Sequence, residues 1–210
     1  MFESENFGGG VLTGALGVQR IALFADAHGH VDLLRQALEA CRAQAVEEIV
    51  LLGDLIDRSD QADACALALA GWKAWGVFGN HEQVMLSSLL IGDDLGWRPE
   101  TIDLFMGLEE YIVVQNICFC HDQPPSASQN GDHFVNRAIT PASSPYHIVF
   151  SGHTHFRHAH DERGPLDVST GRLSLNPQRR YRINPGALTA GQFGIWDRAA
   201  SLVRFCTTRS

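Results

Sequence analysis

Apolar and polar positions fall in blocks along the chain, and three of these blocks repeat one scheme. Ile21 to Ala25, Ile49 to Leu52 and Ala74 to Phe78 are short apolar runs, the pattern of strands buried on both faces of a parallel sheet. Each runs into a polar loop and then a helical pattern. The first helix spans Val31 to Ala43, with Leu33, Leu34, Ala37, Leu38 and Cys41 at helical spacing. The second is Ala-rich, from about Asp60 to Ala70, with Ser59 or Asp60 available as a cap, and the third ends near Leu90. Three βα units predict a parallel or mixed sheet with crossover helices. A further short helix is predicted from about Glu100 to Leu108.

The second half changes character. Tyr111 to Val114 and Ile117 to Cys120 read as strands around a tight connection that ends at His121. Residues 122–145 are rich in Pro, Ser, Gln and Asn, and a loop of that length is uncommon unless it has a function, so a substrate-facing lid is expected. His147 to Phe150 is the next strand. Short strands follow near Leu173 to Leu175, Arg180 to Ile183, Gly191 to Trp196 and Ser201 to Cys206, with a turn at Asn184-Pro185-Gly186. Residues 1–18, carrying Gly8, Gly9, Gly10, Gly14 and Gly17, read as a flexible or irregular lead-in, leaving residues 19–210 as one domain. There is no internal repeat and no obvious linker.

A chain of 210 residues suits one α/β domain of ordinary size. Its 45% hydrophobic and 19% charged residues are globular composition. A formal net charge of -8 argues against an extended nucleic-acid surface, which needs clustered Lys and Arg. It leaves room for a small phosphorylated substrate, because bound metal ions can supply local positive charge. Five cysteines without disulfide spacing predict reduced thiols and a cytoplasmic setting. The acidic start, with Glu3 and Glu5 ahead of the first base at Arg20, is not that of a secretory signal, and no window has the ~18 uninterrupted apolar residues of a membrane span.

The chemistry lies where the strands end, which is where open α/β sheets bind ligands. In order stand Asp26-x-His28, Gly53-Asp54-x-x-Asp57-Arg58, Gly79-Asn80-His81-Glu82, His121 and Gly152-His153-x-His155. Asp54, directly behind a glycine that lets backbone approach closely, can place its two oxygens on two cations. Mixed imidazole and carboxylate donors suit Zn, Fe, Mn, Co or Ni rather than Ca. Taken singly, each motif reads as a cap or a turn; the ordered set of five points to a site. His158 and His160 fit alternation on an exposed strand, and His133 and His147 fit surface or loop positions. Cys118-x-Cys120-His121 with His153-x-His155 could be drawn as a zinc finger, but alternation puts both cysteines on one strand face, where a free thiol behaves as a small hydrophobe. Arg179, Arg180 and Arg182 read as solvated surface, and the four tryptophans as packing.

The order and spacing of the five motifs, from Asp26 to His155, resemble those of the calcineurin-like metallophosphoesterases. The Asn184-Pro185-Gly186 turn is similar to the tail of their small bacterial phosphodiesterase branch, while Asp57-Arg58 and Gly79 to Glu82 resemble the protein-phosphatase branch. The resemblance implies a four-layer α/β/β/α sandwich of two mixed β-sheets flanked by helices. It implies two divalent or trivalent transition-metal ions, Mn, Fe, Zn, Ni or Co: one held by Asp26, His28 and His155, the other by Asn80, His121 and His153, with Asp54 bridging. It further implies hydrolysis of a phosphodiester or phosphomonoester by in-line attack of a metal-bridging hydroxide, with His81 as general acid. Asp57 would orient His81, and Arg58 would pair with phosphate oxygens in a fork. Ala25, His30 and Asp122 depart from the family's usual residues, and the latter two could alter what binds beside the metals. Open alternatives are a protein-phosphatase-like enzyme, a dinucleoside-polyphosphate hydrolase, a nuclease, or a non-catalytic scaffold of the same fold. The chain's modest length favours a small phosphorylated substrate over a phosphoprotein.

Overall fold

A computed structural model describes residues 19–125 and 140–208. The expected lead-in, most of the expected lid and His133 lie outside the described residues. In chain order the elements are β1 (Arg20–Phe24), α1 (Val31–Ala43), β2 (Glu48–Leu52), α2 (Ala62–Leu69), β3 (Lys73–Val77), α3 (Asn80–Leu90) and α4 (Pro99–Met106). Then come β4 (Tyr111–Val114), β5 (Ile117–Cys120), β6 (Ile148–Phe150), β7 (His158–Asp161), β8 (Gly164–Leu166) and β9 (Arg172–Ser174). The described chain closes with β10 (Tyr181–Asn184), β11 (Gln192–Asp197) and β12 (Leu202–Thr207).

Two mixed six-stranded sheets result, ordered β3-β2-β1-β11-β12-β9 and β4-β5-β6-β10-β7-β8. The three βα units run parallel as predicted, and β11 joins β1 antiparallel. In the second sheet β5, β6 and β10 are parallel, between antiparallel β4 and β7. Alternation along β1 and β2 explains their unbroken apolar runs. Ile21, Leu23, Val50 and Leu52 face Phe119, Phe150 and Ile183 between the sheets. Ala22, Phe24, Ile49 and Leu51 face the helices through Leu34, Leu38, Cys65, Leu86 and Phe105. Both faces are out of water, so no polar position interrupts the pattern.

Cys118, Cys120 and Val149 form a small third cluster with Val113 and Tyr146 on the other face of the second sheet, and the two thiols are buried as small hydrophobes. Burial also pushes the Cys41 and Cys65 thiols up to about 12, and all five cysteines are unpaired. Strand β2 begins one residue before its apolar run, at Glu48, whose buried carboxylate takes Lys73 Nζ and, at 2.9 Å, Trp75 Nε1. The chain's single lysine thus serves a buried acid. The expected Ser59 or Asp60 cap is not formed: residues Ser59–Gln61 make a 3-10 turn ahead of α2, and Asp60 takes the Arg58 guanidinium instead. His158 and His160 alternate with buried Ala159 along β7, as their spacing predicts. Its partner β8 is a three-residue segment containing Pro165, too short to show a period. Among the described residues, no helix is long and apolar enough to cross a membrane.

Candidate metal centre

The carboxyl ends of parallel strands from both sheets meet at one rim. Asp26 follows β1, Asp54 follows β2, Asn80 opens α3 after β3, His121 follows β5, and His153 and His155 follow β6. Four of these residues, and His28 two places after Asp26, sit in the left-handed region: Asp26 at φ 53°, His28 at 45°, Asp54 at 51°, His153 at 67° and His155 at 61°. Such backbone costs about 1–3 kcal/mol per non-glycine residue and persists where surrounding contacts over-determine it. Those contacts are present. The Asp26 N–H donates to Gly53 O at 3.1 Å, the His28 N–H to Asp54 O at 2.9 Å and the Gly152 N–H to His121 O at 2.9 Å. The crowding also dictates two glycines. A Cβ on Gly53, itself at φ 87°, would lie 2.4 Å from His121 Nδ1, and one on Gly79 would lie 2.0 Å from Asp54 Oδ1.

Donor atoms of Asp26, His28, Asp54 and His155 lie within 4.8 Å of one another, and so do those of Asp54, His121 and His153. Asp54 belongs to both groups. Its Oδ1 accepts the His81 N–H at 3.1 Å, while Oδ2 lies 3.2 Å from His121 Nε2 and 3.9 Å from His28 Nε2. Asn80 Oδ1 stands 3.1 Å from His121 Nε2, and His153 Nδ1 stands 3.2 Å from the same atom. His28 Nε2 faces His155 Nε2 at 3.0 Å. His121 Nδ1 is 2.8 Å from Leu52 O. A carbonyl can only accept, so Nδ1 carries a proton and Nε2 is the atom turned to the cluster, where it donates to Asp54 Oδ2 and, on losing that proton, would offer its lone pair to a cation.

Electrostatics and burial fit cations here. Asp26 Oδ2 is buried without a hydrogen-bond partner. Burial pushes the Asp26 carboxyl up, against the opposing pull of His121 and His155. For Asp54 burial acts the same way, but the hydrogen bond and charge of His121 outweigh it and hold the carboxyl below its ordinary value. An orphaned carboxylate oxygen beside converging imidazole nitrogens is the donor chemistry that a transition-metal ion satisfies.

Asp57 does more than its motif predicts. Its Oδ1 lies 3.0 Å from His81 Nδ1 and also takes His28 Nδ1, so one carboxylate orients two imidazoles. His81 is partly exposed at the edge of the cluster, with Nε2 3.9 Å from Asp54 Oδ2. The Arg58 guanidinium is forked on the Asp60 carboxylate, both side chains being largely in solvent. His30 is exposed ahead of α1, and Asp122 turns to Arg182 at 3.8 Å. His158 and His160 contact each other edge to face and belong to neither donor group.

Three supporting residues carry roles the motifs did not disclose. Glu82, fully buried, accepts the N–H groups of Gly79 at 2.7 Å and Asp54 at 2.9 Å on Oε2, and that of Ile56 at 2.9 Å on Oε1. Burial pushes its carboxyl up, and the N–H bonds work against that shift. Its place at the third position of α3 is the signal that could have found it, being the glutamate position of a capping box. Gln61 Oε1 accepts the N–H groups of Asp57 and Arg58 at 2.9 and 3.0 Å. Asn184, fully buried, donates from Nδ2 to Gly152 O at 2.6 Å and to Thr154 Oγ1 at 3.1 Å, while its Oδ1 accepts the Gly186 N–H at 2.8 Å. The expected turn therefore also braces the Gly152–His155 loop.

A cleft of about 380 Å³ opens beside the cluster, lined by Asp57, Arg58, Ser59, Asn80, His81, Val84 and Met85. A cavity of about 370 Å³ among Gln19, His147, Trp196 and Arg198 lies at the opposite strand ends and shares no residue with the donor groups.

A family model described as the calcineurin-like phosphoesterase superfamily domain matches residues 20–202. The chain is 23% identical over 191 residues to an uncharacterized protein of Methanocaldococcus jannaschii, which covers 83% of this chain and 78% of that one. It is 28% identical over 134 residues to serine/threonine-protein phosphatase 1 of Salmonella typhimurium, covering 60% of this chain and 62% of the phosphatase. Its fold is similar to the crystal structure of a metallophosphoesterase from Sphaerobacter thermophilus, with a TM-score of 0.66 at 21% identity over 91% of this chain and 89% of the other.

Proposed function

Because the chain belongs to the calcineurin-like phosphoesterase superfamily, we propose that its aspartate–histidine cluster holds two transition-metal ions and hydrolyses a small phosphodiester or phosphomonoester. The observation that carries this reading is Asp54: one carboxylate common to two donor groups, with Oδ2 between His28 and His121. Asp26, His28 and His155 would hold one ion and Asn80, His121 and His153 the other, with Asp54 bridging. Two ions held there would supply positive charge against phosphoryl oxygens and a water acidic enough to attack at neutral pH.

The protein's own groups do the rest. His81 shares no donor group with Asp54, being gathered instead with His28 and Asp57, and its ring lines the cleft, so it is placed to give a proton to the departing oxygen. Asp57, 3.0 Å from His81 Nδ1, keeps the ring turned that way. Arg58 sits at the mouth, where a phosphoryl group can replace Asp60 in its fork because an exposed ion pair is held weakly.

The test is hydrolysis of bis-p-nitrophenyl phosphate and p-nitrophenyl phosphate with EDTA, manganese, zinc or nickel, beside Asp54→Asn and His81→Ala. Turnover restored by metal and lost in both variants is the expected result, and the faster ester separates diesterase from monoesterase. Failure to bind any metal would refute the reading. The similarity to serine/threonine-protein phosphatase 1 favours a second reading, with a phosphoprotein as substrate. A phosphoserine peptide in the same assay decides between them, since the small-ester reading expects it to be the poorer substrate.

A further inference from the structure

An acid that protonates a leaving oxygen must stand beside the leaving group, so the cleft facing His81 is where that group goes. We infer, on the basis of the phosphoesterase reading above, that this cleft is a leaving-group subsite. It selects esters whose departing alcohol carries a planar or apolar body, and Val84 sets that preference.

Helical spacing builds one wall. Val84 and Met85 lie three and four residues after His81 on α3, so all three share a face, and all three line the cleft. Met85 is half-buried and packs on the helix layer, whereas Val84 is 72% exposed. An apolar, β-branched side chain left in water one turn from the acid has no packing role in the fold. A substrate surface laid on it would remove it from solvent.

The facing wall is fixed. Ser59 Oγ accepts the indole N–H of buried Trp97 at 2.8 Å, and Gln61 clamps the backbone of Asp57 and Arg58. At the mouth, the Arg58 charge is matched by Asp60. An aryl or similarly flat apolar body laid in the cleft meets Val84 and Met85. At about 380 Å³ the cleft is at the lower end of small-molecule sites and suits one ring-sized group.

Phenylphosphonate and methylphosphonate, titrated calorimetrically into the manganese-loaded protein, read this preference without turnover. The wild type should bind the phenyl compound about tenfold more tightly. Val84→Ser, neutral and at an exposed position, should reduce the ratio to about threefold or less, and Val84→Leu should keep it. Equal binding of the two ligands by the wild type, or a ratio unchanged in Val84→Ser, would overturn the inference while leaving the phosphoesterase reading standing. Binding of neither ligand by the metal-loaded protein would overturn both.

Discussion

Replacing Glu82 by Gln probes how the second motif is held in place. The carboxylate is fully buried and takes three backbone N–H groups, those of Gly79 and Asp54 on one oxygen and that of Ile56 on the other. A glutamine amide has one acceptor oxygen. Its best orientation keeps that oxygen on Gly79 and Asp54 and turns its NH2 against the Ile56 N–H. One buried donor then goes unsatisfied, at about 1–3 kcal/mol, and two charge-assisted bonds become neutral, at about 1 kcal/mol each. Relief of the buried charge offsets part of this, leaving a net loss of about 2–4 kcal/mol. Glu82→Ala orphans all three donors and opens a hole, so its loss should exceed that of the glutamine variant. Urea denaturation followed by tryptophan fluorescence measures the loss. Competition with a chelator measures the accompanying change at the site: Asp54 is tethered through its N–H, so manganese affinity should fall about 10–100-fold. A Glu82→Gln midpoint within about 0.5 kcal/mol of wild type, with metal affinity unchanged, would refute the reasoning.

Gly53→Ala should destabilise by about 3 kcal/mol or more, because φ is 87° there and the new Cβ meets the His121 ring at 2.4 Å; a thermal melt reads it. Removing metal with EDTA should lower the melting temperature by about 5–10 °C relative to protein at 100 times the dissociation constant, and added manganese should reverse the shift. Asp161 accepts the Arg163 N–H at 2.8 Å and pairs with Arg179 at 2.7 Å, and these contacts hold its carboxyl below the ordinary 3.8. A depressed folded value stabilises above 3.8 and loses that contribution as pH falls through it, so wild type should lose stability relative to Asp161→Asn below pH about 4, in urea midpoints taken against pH.

Local spacing determined much of this protein. The helix from Val31 to Ala43 was legible to the residue, because its apolar face repeats within one turn of chain. The three βα units and the carboxyl-end positions of Asp26, Asp54 and Asn80 were legible because a strand buried on both faces shows as an unbroken apolar run that stops where chemistry starts. The residues that meet at the rim could be named from their motifs, since each motif is only a few residues long.

Contacts between distant segments were decided by the tertiary structure alone. Strand β11 lies against β1 although about 170 residues separate them, and no period in either strand announces the other. That Asp57 holds both His28 and His81, and that Glu82 and Asn184 clamp the metal-site loops, depends on atoms brought together through space. A hydrogen bond has a range of about 3 Å and no memory of sequence separation, so such partners appear only when the strands that carry them have paired. Periodicity reports which face of a segment leaves water, and packing decides which other segment it meets there.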